Sequence, residues 1–60
     1  MFPKQVGDKV IHRYPPFLYQ GVKGEVIKAI KGQPLFIVRW DDGHARWSRL
    51  HSMDMLEKVA

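Results

Sequence analysis

The chain contains no cysteine. This excludes disulfides and thiolate metal sites and removes the staple on which small secreted domains usually depend. A cytoplasmic setting is the expectation that follows. No apolar run approaches the ~20 residues that cross a bilayer, and Met1-Phe2-Pro3-Lys4-Gln5 carries no apolar stretch of the signal-peptide kind. The sequence therefore reads as soluble, unprocessed and free of membrane. Acidic residues are scarce, with six Asp and Glu against ten Lys and Arg and a formal net charge of +4. That balance suits a protein that meets polyanions, and it also keeps an ordinary small domain soluble. No HExxH, P-loop, dinucleotide fingerprint or Ser-His-Asp arrangement is present. A chain of 60 residues buries only about 60% of the surface its unfolded form exposes, which leaves little room for an enclosed catalytic pocket with supporting shells. The expectation is a single domain over residues 1–60 that is not an enzyme, needs no cofactor, and binds something at its surface.

What is present is β-structure. The run Leu35-Phe36-Ile37-Val38-Arg39-Trp40 meets Asp41-Asp42-Gly43-His44 and then Ala45-Arg46-Trp47-Ser48-Arg49-Leu50, and Asp-Gly between two such runs is a strong hairpin signal. A turn at Asp42-Gly43 places Trp40 opposite Ala45, Arg39 opposite Arg46 and Val38 opposite Trp47. Alternation then puts Phe36, Val38, Trp40, Ala45 and Trp47 on one face, with Ile37, Arg39, Arg46, Ser48 and Leu50 on the other. Arginines directly opposite one another repel, so Arg46→Glu is expected to leave the free domain equally or more stable.

The other strands are shorter. Asp8 to Arg13 follows a Gly-Asp turn signal, and Lys23 to Ile30 precedes the connection Lys31-Gly32-Gln33-Pro34. Between them, Tyr14-Pro15-Pro16-Phe17-Leu18-Tyr19-Gln20-Gly21 cannot be a central strand, because consecutive prolines remove ladder donors; it reads as a long aromatic loop. His51-Ser52-Met53-Asp54 has the character of one 3₁₀ turn, and Met55 to Val59 of a closing strand. A brief helix over Ser52 to Ala60 is the alternative on propensity. The order predicts an all-β, five-stranded, partly open barrel with a core of Val10, Val26, Ile30, Phe36, Val38, Trp40, Trp47 and Leu56.

That order resembles the SH3-like barrel shared by Tudor, chromo-barrel and many small bacterial domains. More narrowly, Val6-Gly7-Asp8, Gly24-Glu25-Val26-Ile27 and Pro34-Leu35-Phe36-Ile37-Val38-Arg39-Trp40-Asp41-Asp42-Gly43-His44 resemble the small bacterial family described as domain of unknown function 1918. The likeness spans Val6 to His44. After His44 the chain departs from that pattern, and its loop at Tyr14 to Tyr19 is more aromatic. The resemblance implies a fold and no activity.

Four groups of residues invite a functional reading. Arg39 and Arg46 on the hairpin, with Lys23 and Lys28 on the preceding strand, form a basic face suited to phosphates, since guanidinium groups match phosphate oxygens. Nucleic acid is the partner this implies. Tyr14, Phe17, Tyr19 and Trp47 could instead form an aromatic groove for an extended peptide or a partner domain. Arg49, on the face of Trp47, could lie across an aromatic ring at the barrel rim. His12, Asp41, Asp42, His44 and His51 superficially resemble a metal cluster, but their spacing puts no two histidines side by side and the aspartates are explained as turn formers, so no metal is expected. Finally, a partly open barrel exposes strand edges that can recruit another strand or a second copy, and Lys58 and the prolines blunt only some of them. The oligomeric state is not readable.

Overall fold

Alternating burial along three strands builds the sheet in the computed structural model, which describes residues 1–59. The five strands are β1 (Lys9–His12), β2 (Lys23–Ala29), β3 (Leu35–Asp41), β4 (Arg46–Ser52) and β5 (Leu56–Lys58), with 3₁₀ turns at Phe17–Tyr19 and Met53–Met55. They form one antiparallel sheet in the order β4-β3-β2-β1-β5. This is the strand order of a small SH3-like, partly open barrel, and β4 and β5 are its two edges. The 3₁₀ turn before the last strand falls where it was expected, and the segment 52–58 is turn and strand instead of helix. Ala60, the last residue of the helical alternative, lies outside the described residues.

The inner face carries Val10 from β1, Val26 from β2, Phe36, Val38 and Trp40 from β3, and Leu56 from β5, all buried. Of the expected core, Ile30 and Trp47 are only half-buried. Their places are taken by two residues from the long loop, Tyr19 and Val22. The loop is not a plain excursion. Pro15 and Pro16 lead into the short 3₁₀ turn, which folds Tyr19 back under the sheet. A β-bulge between Val26 and Lys28 shifts the β2–β3 register, and such an extra residue bends and twists the strand that holds it. β2 thereby serves both halves of the barrel.

Asp8 ties the first turn to the sheet. Its buried carboxylate accepts the backbone N–H groups of Lys4 and Gln5 at 2.8 and 3.1 Å, and the Lys58 ammonium lies 3.5 Å away. These contacts, the Lys4 N–H foremost, hold the carboxyl below its ordinary pKa.

Gly24 stands opposite Trp40 in the β2–β3 register, where the core leaves no room for a side chain. A Cβ built there would lie 2.5 Å from Val38 Cγ1 and 2.7 Å from Trp40 Cε3. The absent side chain is the space the indole occupies, the usual meaning of a glycine inside a strand. Gly24→Ala is therefore expected to destabilise the domain by about 2–3 kcal/mol through overpacking, read as a drop of roughly 10 °C or more in melting temperature for a chain this small. A melting temperature equal to the parent's, measured by circular dichroism, would contradict this packing.

Candidate functional site

The hairpin that carries the site is built by two carboxylates. Asp42 Oδ1 accepts the N–H groups of His44 and Ala45, both at 2.7 Å, and Asp41 Oδ1 accepts Gly43 N–H at 2.8 Å. Asp42 N–H closes the loop onto the Ala45 carbonyl at 3.3 Å, and Gly43 adopts a φ of 89°. The loop is thus four residues, Asp42 to Ala45, instead of a two-residue turn. The strands slide accordingly, so that Trp40 faces Trp47, Arg39 faces Ser48, Val38 faces Arg49 and Asp41 faces Arg46. A slide of two residues preserves which face each side chain takes and changes every partner.

This corrects the expectation for Arg39 and Arg46. They share a face but are not opposite one another. Arg46 Nε lies 3.2 Å from Asp41 Oδ2, its true cross-strand partner. There is no arginine pair for a glutamate to relieve.

On the solvent face, Lys9, Lys23, Gly24, Glu25, Arg39, Asp41 and Arg46 line one open concavity of about 390 Å³. Registers across the sheet arrange its charges in two rows. One runs Lys9, Glu25, Arg39 across β1, β2 and β3, and the other runs Lys23, Asp41, Arg46 across β2, β3 and β4. Each row sets one carboxylate between two cations. Glu25 is ion-paired with Lys9, and that contact, reinforced by Arg39, holds its carboxyl below the ordinary value. Asp41 is taken by Arg46. Among the described residues, Arg39 and Lys23 make no ion pair, so the concavity keeps two uncompensated positive charges. Lys28, beyond the bulge and opposite Ile37, lies outside it. Lys9 was not among the expected site residues, although alternation along β1 already assigns it to the face opposite Val10.

The aromatic candidates divide. Tyr14 is 67% exposed and Phe17 91%, whereas Tyr19 is 6% exposed and belongs to the core. Trp47 packs half-buried against that core. A single groove made by all four is thereby ruled out. The Arg13 guanidinium lies 5.1 Å from the Phe2 ring centre and 5.4 Å from that of Tyr14. Arg49 is exposed.

Beneath the sheet, Tyr19 and Trp47 meet Trp40, His12 and His51. The rings of His12 and His51 are 5.5 Å apart, edge to face, a meeting that their spacing in sequence gave no reason to expect. His44 remains in the hairpin loop, and among the described residues no group of three His, Cys, Asp or Glu could hold a metal ion. Trp40 Nε1–H donates to His51 Nε2 at 2.9 Å, which requires that nitrogen to be unprotonated. Burial first, then His12 and Arg49, lowers the His51 pKa to about 4. Inside the same cluster His12 Nδ1, Tyr19 OH and Trp47 Nε1 are buried without a hydrogen bond to the chain.

Comparison with protein-family models, curated proteins and solved structures finds no match to this chain. Among the described residues, no helix is long and apolar enough to cross a membrane.

Two outcomes follow. His51 binds its proton more readily unfolded, near 6.5, than folded, near 4, so its contribution is complete above pH 6.5 and falls as pH drops towards 4. Asp8, also depressed when folded, loses its contribution only at lower pH. Denaturant titrations should show stability declining between pH 6.5 and 4, with the decline reduced in His51→Gln; an equal decline in that variant would refute the assignment. Arg46→Glu now sets a carboxylate opposite Asp41 and should lower stability by roughly 0.5–1 kcal/mol, and a gain in denaturation midpoint would contradict the register.

Proposed function

We propose that the domain is a non-catalytic cytoplasmic binding module that docks a polyanion, nucleic acid being the partner its chemistry fits best, on the solvent face of β1 to β4. The observation that carries this reading is the pair of rows in which each carboxylate is already held by one cation while Arg39 and Lys23 remain uncompensated. Arg39 and Lys23 stand on neighbouring strands two positions apart, which separates their backbones by roughly 7–8 Å. That spacing suits an anion that repeats along a chain better than one isolated phosphate. Arg46 and Lys9 flank the contact, and Lys28 extends it along β2. The net charge of +4 adds long-range attraction. Kinship with the domain of unknown function 1918, on the hairpin and Val6-Gly7-Asp8 blocks, belongs to the same proposal and supplies no activity.

A second reading is favoured by one observation. Tyr14, Phe17 and Leu18 stand exposed on the long loop, where they could dock an extended peptide or partner domain. With Tyr19 and Trp47 turned inward, that surface is narrower than the loop's composition suggests.

Fluorescence anisotropy with a short DNA duplex separates the two. The polyanion reading expects binding at low ionic strength, with log affinity falling against log salt at a slope of about −2 to −4, and Arg39→Ala and Lys23→Ala each removing about 0.9 from that slope. Absence of binding at low salt, or a slope unchanged by both substitutions in folded protein, would sink it. A contact abolished by Phe17→Ala and indifferent to salt would establish the loop instead.

A further inference from the structure

The two edges of the sheet are treated differently. β5 is three residues long, and its outer side is occupied: Lys58 N–H donates to the Met1 carbonyl, while the terminal ammonium pairs with Glu57. β4 is seven residues long, and among the described residues its backbone bonds only to β3. It contains no proline or bulge, and of the devices that close an edge it carries only the charges of Arg46 and Arg49. Its residues, Arg46-Trp47-Ser48-Arg49-Leu50-His51-Ser52, include no carboxylate. Arg46 and Leu50 project on the solvent face and Arg49 on the other, and all three are exposed.

A second copy is a poor occupant, because two β4 strands would bring arginines together with nothing between them. We infer that the β4 edge accepts an extended acidic segment of a partner protein as a sixth strand. The backbone supplies the ladder, and the arginines supply the selection. For an antiparallel segment the register of charges dictates an apolar residue opposite Leu50, a carboxylate opposite Arg49, and a second carboxylate three positions later opposite Arg46. Read along the partner, this is an apolar residue, an acid, two residues of strand-forming type, and an acid. The surface is separate from the concavity, sharing only Arg46 with it.

The test is an NMR titration of the labelled domain with a blocked peptide containing Ile-Glu-Thr-Val-Glu, at low and high ionic strength. Saturating amide shifts along residues 46–52 are expected, together with slowed amide exchange there and weaker binding in salt. Backbone N-methylation of alternate peptide residues should abolish the contact on the unaltered protein. Arg49→Glu should weaken it by roughly threefold to tenfold and admit the peptide in which lysine replaces only the glutamate opposite position 49. Lys23→Ala and Arg39→Ala, which report on the concavity, should leave this titration unchanged, so failure of the nucleic-acid reading does not decide the outcome here. Shifts confined to Lys9, Lys23 and Arg39, undiminished binding of both N-methylated registers, or no shift at all would overturn the inference.

Discussion

Trp40 is the residue on which the rest of this small barrel depends. Fully buried, it joins β2, β4 and the long loop to β3. Its six-membered ring lies where Gly24 has no side chain, its N–H is donated to His51 on β4, and its ring system meets Tyr19 edge-on at 5.0 Å. The first contact seats β3 on β2, the second clamps the edge strand, and the third anchors the long loop. A domain of this size has no other cluster to fall back on. Arg39 and Asp41, the residues on either side of Trp40, inherit its rigidity, and both line the charged concavity on the opposite face.

The electrostatics of that face follow from the same registration. A row of cation, carboxylate and cation is internally attractive at each neighbouring pair, so the sheet can carry a surplus of positive charge without strong self-repulsion. The carboxylates also fix where the surplus sits, since each is already engaged by one neighbour. Exposed pairs of this kind contribute little to folding. Their effect is to organise charge in space.

Much of the fold was legible in the sequence because period-two alternation and turn chemistry are local signals. Val38, Trp40, Val26, Val10 and Leu56 announce themselves as core by their neighbours alone. Tyr19 and Val22 do not, because they reach the core through a proline-led 3₁₀ turn that has no alternating pattern. The hairpin register was missed for a related reason. Asp42-Gly43 signals a tight turn, but Asp41 and Asp42 each offer a carboxylate that captures backbone N–H groups and stabilises a longer loop. The slide by an even number of residues left the basic face legible while hiding Asp41 as the partner of Arg46. The proximity of His12 to His51 depends on β1 and β4 curving towards one another across the barrel, a long-range property that no window of sequence contains.

The closure of the barrel has a kinetic side. β2, β3 and β4 are joined by short connections and pair with their immediate neighbours, so little chain entropy opposes their assembly. β5, in contrast, pairs with β1 from nearly the opposite end of the chain, through only three residues. The longest loop to be closed is thus rewarded by a ladder of only three residue pairs. The meander of β2 to β4 is the natural nucleus of folding, and docking of Leu56 against the preformed sheet completes it. In the native state the same asymmetry concentrates strand pairing in the β2 to β4 meander and leaves β1 held to both its neighbours by short ladders.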